Sequence, residues 1–324
     1  MIKSYFYNAE TQQLSLGVDL REKEILLDNP GNLLWIDLYD CTFKELYSIA
    51  DIFEFHPLAV EDCLQDSPRA KVDKYDDYYF FVFHAPRYNE ESDEEITTDE
   101  LNIFLGTNYL ITIHKDSLPS VARIAKFCNQ QKTHMMERAP DYLLYNLVDG
   151  IVDEYFPIIE RLSERIDELE DEIYVNPAKE ITEEMLSLKR TILLLRKLIL
   201  PQKRIFSNVN CRYSFTVKEE NHPYYLDLVD HLERLSDSTD TYRDLVNNAM
   251  DTYYSIISNK TNEVMRVLTI ISTIMMPLTF ITGIFGMNVP IPFQDSRYEV
   301  WFILCAMAIL SILMIRFFHR RKWI

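Results

Sequence analysis

The sequence predicts an α+β membrane protein with an N-terminal cytosolic α/β domain, a long helical stalk and two C-terminal transmembrane helices. Three observations predict it. Val267 to Val289 holds no charged residue and, at roughly 1.5 Å per residue, forms a helix about 34 Å long, enough to cross a bilayer's hydrocarbon core. A second apolar run, Val300 to Ile315, is followed by Arg316, Arg320, Arg321 and Lys322. Upstream, short β-branched and aromatic runs give way near Asp141 to apolar residues spaced by three and four, the period of a helix face. The expected organisation is an α/β domain over 1–140, a helical hairpin over 141–222, and a stalk helix continuing into the first span over 223–288. An extracytoplasmic loop over 289–299, the second span over 300–316 and a basic tail over 317–324 complete it.

In chain order, Asn32 to Leu38, Tyr78 to His84, Leu101 to Leu105 and Tyr109 to His114 read as strands, the last two flanking Gly106-Thr107-Asn108 as a hairpin. Thr42 and Glu45 have capping-box spacing ahead of Leu46, Ile49, Ala50 and Phe53, and His56-Pro57-Leu58 opens a second short helix with proline in its first turn. The acidic run Glu90 to Glu100 reads as a solvated loop. Leu162, Ile166, Leu169 and Ile173, then Met185, Leu188, Ile192, Leu195 and Ile199, form an αα-hairpin about Asn176-Pro177. A helix from Pro223 to Phe285 meets no proline or glycine before Pro277 and would be about 95 Å long at roughly 1.5 Å per residue, joining cytosol to membrane. Basic residues after the second span place the C-terminus in the cytosol. The N-terminal residues lack a signal-peptide pattern, so both termini are expected there.

From Arg266 onward six basic residues face two acidic ones, a formal +4, which leaves −22 of the chain's −18 upstream. So acidic a soluble part excludes nucleic acid as a partner and attracts cations. Only six glycines occur, and none forms a phosphate-cradling loop, which excludes a nucleotide-driven enzyme. The five cysteines make no C-x-x-C pair, and the seven histidines show no paired ligand spacing, so they read as structural. In the first span Asn262, Met265, Thr269, Ser272, Met276, Thr279, Gly283 and Gly286 share one face of an otherwise apolar helix. By itself such a stripe is a helix-packing seam or a surface that needs water. Two helices cannot enclose a water-filled path, so a pore would need several copies about an axis.

Phe285-Gly286-Met287-Asn288 at the outer end of the penultimate apolar helix, with a short loop, a final span and the tail Lys322-Trp323-Ile324, resembles the CorA family of magnesium channels. Ser258 to Met265, Met276 to Phe280, His56-Pro57-Leu58 with Glu61-Asp62, and Asp141 to Tyr145 resemble the family's segments too, so the likeness covers essentially the whole chain. It departs at Phe285, where the family usually has Tyr, and after Pro290, where the usual acidic residue is replaced by a later Asp295.

The resemblance implies a funnel-shaped homopentamer in the cell's inner (plasma) membrane, importing Mg2+ and, with it, Co2+ or Ni2+. It implies a selectivity filter at Gly286, Met287 and Asn288, whose neutral oxygens suit an ion that sheds its water reluctantly. Asn262, Met265, Leu268, Met276 and Thr279 would continue the pore, with the apolar members forming a gate that closes by dewetting. Glu61, Asp62, Asp149 and Asp227 would bind a regulatory divalent cation between subunits, Mg2+ thus being both substrate and regulator with no organic cofactor. The closest rival is a Zn2+ transporter of the same fold. A membrane-anchored coiled-coil signalling protein would leave Gly-Met-Asn unexplained.

Overall fold

The computed structural model describes residues 1–88, 96–175, 179–207, 215, 217–287 and 298–323. The chain forms two compact units, Met1–Glu172 with Ala178–Ala249, and Met250–Ile324 with Ile173–Pro177.

The first unit is built on a seven-stranded sheet of β1 (Ile2–Asn8), β2 (Gln13–Leu16), β3 (Leu33–Tyr39), β4 (Lys71–Lys74), β5 (Tyr79–Tyr88), β6 (Ile96–Leu105) and β7 (Tyr109–His114). In space the order is β2-β1-β3-β7-β6-β5-β4. Every neighbouring pair is antiparallel except β3 and β7, which run parallel from Leu34↔Tyr109 to Tyr39↔His114. Leu33 to Leu38 are buried on both faces, which explains a run that is apolar at every position but Asp37.

After the single-turn α1 (Lys23–Leu26), β3 leads into α2 (Phe43–Phe53) and α3 (Pro57–Asp62). Thr42 caps α2 as its spacing requires: its hydroxyl accepts from Glu45 N at 3.3 Å, and its own amide donates to Glu45 Oε2 at 2.8 Å. Leu46, Ile49, Phe53 and Val60 pack against Ile36, Phe80, Val82, Phe104 and Ile111 on this face of the sheet. After β7 the chain crosses to the other face as α4 (Pro119–Asn129) and α5 (Pro140–Asp153). The two parallel strands therefore send their following helices to opposite faces.

The hairpin from β6 to β7 turns through Gly106, where an added Cβ would overlap the Tyr109 ring. Ile96 to Glu100, expected in a loop, instead extend β6 opposite Tyr88 to His84. The reason lies in their pairings, since Asp99 meets Arg87 at 2.5 Å and Glu100 accepts from Ser67 N at 2.7 Å. Residues 89–95 of that acidic run lie outside the described residues.

α6 (Tyr155–Val175) and α7 (Lys179–Ser207) follow, then α8 (His222–Phe285), an unbroken helix of 64 residues despite Pro277. α6 and α7 are joined by an ion pair from Arg165 to Glu184 and bury the apolar positions that predicted them. Arg196–Asp240 at 3.2 Å and Lys203–Glu233 at 3.3 Å tie α7 to α8. In the core the Tyr155 hydroxyl donates to His84 O at 2.7 Å and accepts from Gln202 Nε2 at 2.8 Å. In the second unit, α9 (Glu299–Arg320) and the membrane-facing part of α8 are both long and apolar enough to span a bilayer.

One buried polar group makes the first unit sensitive to pH. His114 is buried with Nε2 3.0 Å from Asp37 Oδ1 and Nδ1 2.6 Å from Asp116 O. Both partners accept, so both ring nitrogens donate and the imidazole is charged. Burial opposes that charge, but the hydrogen bond and field of Asp37, with help from Asp116, outweigh it and raise the pKa above its ordinary 6.5. A raised histidine pKa gives stability that is complete below 6.5 and fades as pH rises through the folded value. In thermal unfolding of the intact protein, wild type should therefore exceed His114→Gln most below pH 6.5, with the gap narrowing toward alkaline pH. A gap constant with pH would contradict the charged pair.

Candidate cation path and metal centre

The membrane-facing part of α8 carries the residues expected to line a pore. Asn262, Met265, Leu268, Met276 and Thr279 are all exposed, with Met276 at 73%. Apolar side chains so uncovered require lipid or another helix. Polar groups of this segment are satisfied within the helix: on the stripe the Thr269 hydroxyl donates to Met265 O at 2.7 Å, and off it that of Thr282 donates to Thr279 O at 3.0 Å. At the end of α8, Gly286 N donates to Thr282 O at 2.9 Å and Met287 N to Ile284 O at 3.2 Å, closing the last turn. Asn288 lies outside the described residues.

In the first unit, α5 supplies Asp149, and α8 supplies Asp227 and His231 one turn apart. Their ligand atoms all lie within 4.8 Å of one another. His231 stands between the carboxylates, with Nδ1 3.7 Å from Asp149 Oδ1 and Nε2 3.8 Å from Asp227 Oδ1. Burial raises the Asp149 pKa, and the charge of Asp153 raises it further, opposed by His231 and Arg123. Asp149 Oδ1 and His231 Nδ1 are buried with no hydrogen-bond partner. Two carboxylates and an imidazole at this spacing are a donor set for a divalent cation.

The sequence expectation grouped Glu61, Asp62, Asp149 and Asp227 in one site, with Asp62 and Asp227 as the central pair, and read His231 as structural. The i, i+4 spacing of Asp227 and His231 on one helix was the available signal.

Glu61 and Asp62 are not part of this group. They sit on α3, on the opposite face of the sheet from α5. Asp62 pairs with Lys71 Nζ at 2.6 Å, a cation shared with Asp73 at 2.9 Å, and Glu61 accepts from Gln65 Nε2 at 3.2 Å. Asp62 and Asp227 therefore do not meet within one chain.

An acidic α+β unit and a helix that continues into one of two apolar spans define a membrane transport protein for cations. The chain belongs to the family of CorA-like Mg2+ transporter proteins, whose pattern matches residues 30–320. It is thus a transporter of divalent cations and not an enzyme. It is 34% identical over 277 residues to the cobalt/magnesium transport protein CorA of Thermotoga maritima, covering 85% of this chain and 79% of that one. The complete structure of the CorA magnesium transporter from Methanocaldococcus jannaschii superposes with a TM-score of 0.83 at 25% identity, covering 100% and 99% of the two chains. A more distant relative is the zinc transport protein ZntB of Yersinia pseudotuberculosis, 20% identical over 90% of this chain and 88% of that one.

Proposed function

We propose that the protein imports Mg2+, with Co2+ and Ni2+ as related cargo, as a homopentamer in the plasma membrane with both termini in the cytosol. The hydrated ion is selected at Gly286, Met287 and Asn288, and the path inward runs past Thr279, Met276, Leu268, Met265 and Asn262. The observation that carries this reading is the uncovered face of α8, followed in the sequence by Gly286-Met287-Asn288, in a chain matched by the family over residues 30–320. Five copies of that face about an axis enclose a path that one copy cannot. Cytosolic Mg2+ closes the pore by binding carboxylates between subunits: Asp62 and Glu61 of one chain with Asp227 and Asp149 of the next. A site of this kind biases gating only if the ion binds the closed form more tightly.

A specific observation favours a second reading. His231 completes the Asp149 and Asp227 group, and an imidazole suits Zn2+, Co2+ or Ni2+ better than Mg2+. The same fold would then serve a zinc transporter.

Uptake into liposomes containing the purified protein separates the two. Mg2+ should enter without a proton gradient, with Co2+ and Ni2+ competing. Entry of Zn2+ alone, dependent on a proton gradient, would overturn the magnesium assignment. Native mass measurement should give five chains, and a uniform monomer or dimer would refute the pore.

A further inference from the structure

A cavity of about 440 Å³ opens in the first unit at the carboxyl ends of the parallel strands β3 and β7. β3 continues to α2 on one face of the sheet and β7 to α4 and α5 on the other. Such a divergence leaves a crevice beyond the strand ends where open α/β sheets bind ligands. Nothing in the cation path or the Asp149, Asp227 and His231 group uses it.

Its walls specify a ligand class. Five carboxylates line it, from Asp40, Asp66, Asp99, Glu100 and Asp116. Lys115 meets Asp66 at 2.7 Å and Arg87 meets Asp99 at 2.5 Å, while among the described residues no ion pair reaches Asp40 or Asp116. The charge of His114, also on the wall, is matched by Asp37. The cavity is therefore short of positive charge.

Two buried side chains on the same wall each leave one polar atom without a partner. His84, 5% exposed, donates Nε2 to Ser67 O at 2.9 Å, lies 3.8 Å from Glu100 Oε2 and has no partner at Nδ1. Asn102, 4% exposed, donates Nδ2 to Glu100 Oε1 at 2.8 Å and leaves Oδ1 over. His84 Nδ1 and Asn102 Oδ1 are both buried and unpartnered. Leaving polar atoms buried and unmet is costly, and Asn102 Oδ1, an acceptor, is answered by a group with donors to offer.

Size and the remaining wall separate a metal ion from an organic cation. The volume lies in the range of about 300–1,000 Å³ usual for small-molecule sites and exceeds what a single ion needs. Phe43, Leu46, Leu64 and Ile113 add apolar surface, which a hydrated metal ion cannot use and an alkyl chain can. The mouth already holds an alkylammonium, that of Lys115 on Asp66. We propose that this cavity binds an aliphatic diammonium or polyammonium ion, its ammonium groups on the carboxylates and Asn102 Oδ1 and its methylenes against the apolar wall. Burial raises the pKa of Glu100, in keeping with a carboxylate short of a cation.

Cys41 lines the cavity and is partly exposed, so it reports occupancy. Full-length protein in detergent and saturating Mg2+ would be titrated with putrescine or spermidine by calorimetry. The rate of N-ethylmaleimide addition at Cys41 would be followed by peptide mass mapping. One amine should bind per chain and slow alkylation of Cys41, and Glu100→Gln should weaken binding by about tenfold, the effect of one lost charge-assisted hydrogen bond. Because Glu100 also holds Ser67 N, Asp116→Asn serves as a second variant that disturbs no internal bond, and it should weaken binding severalfold. Absence of binding, binding that leaves Cys41 equally reactive, or unchanged affinity in Asp116→Asn would each overturn the proposal. So would equal protection of Cys41 by Mg2+ alone.

Discussion

Gly286→Ala should reduce Mg2+ uptake by the reconstituted protein to the level of protein-free liposomes while leaving the oligomer assembled. A Cβ at Gly286 would lie 3.0 Å from Thr282 O, the carbonyl that accepts the Gly286 amide in the last turn of α8. That distance is tighter than ordinary packing allows, and the obstacle is helix backbone rather than a side chain that could swing away. The end of the helix must therefore shift where a ring of oxygens is proposed to meet the hydrated ion. Asn288→Ala should have the same outcome for a different reason, loss of the carboxamide ring. Gly286 is exposed and holds no core together, so the native mass and thermal stability of Gly286→Ala should stay near wild type. Near-normal Mg2+ flux through either variant would remove the filter from this segment.

The second large effect is expected in regulation. Replacing Asp62 and Asp227 together with Asn removes charge without adding bulk, and should raise the Mg2+ concentration that inhibits uptake. Changes to the outer partners of a metal site typically cost about 10–100-fold in affinity, so loss of two proposed ligands should cost at least about tenfold. If the proposed site is shared between subunits, wild-type protein without Mg2+ should leave these carboxylates facing one another, and their repulsion should loosen the subunits and expose the stalk to protease. The structure adds a sharper arm, because Lys71 neutralises Asp62 at 2.6 Å within its own chain. Lys71→Met frees that carboxylate and should tighten inhibition, the opposite sign to the double variant. Wild-type inhibition and protease protection in the Asp62→Asn, Asp227→Asn protein would refute the interface site.

Much of this protein is written locally. The two spans, the helix His222–Phe285 and the paired helices α6 and α7 follow from periodicities of three and four residues, which any window of the chain displays. The Thr42 and Glu45 cap and the Gly106 turn are equally local, since the interacting atoms lie within three residues of each other. The resemblance carried by Phe285 to Asn288 and the segments upstream identified the family for the same reason, as a set of short motifs in fixed order. The edge strands β2 and β4, and β1 next to β2, were not legible, because strand character is decided by the partner across the sheet. Ile96 to Glu100 became strand for that reason, the acids there finding Arg87 and the Ser67 amide.

Only the tertiary structure decided which polar groups meet. Asp149 joins Asp227 and His231 because α5 packs beside α8, and no spacing along either helix announces that third ligand. Asp37 and His114 are 77 residues apart and meet only because β3 and β7 are parallel neighbours. The cavity beyond those two strands likewise gathers its carboxylates from β6 and from the segments that follow β3, α3 and β7. Hydrophobic period and capping act over one or two helical turns and survive in the order of residues. A site is made where distant segments converge, and its geometry exists only after the core has placed them.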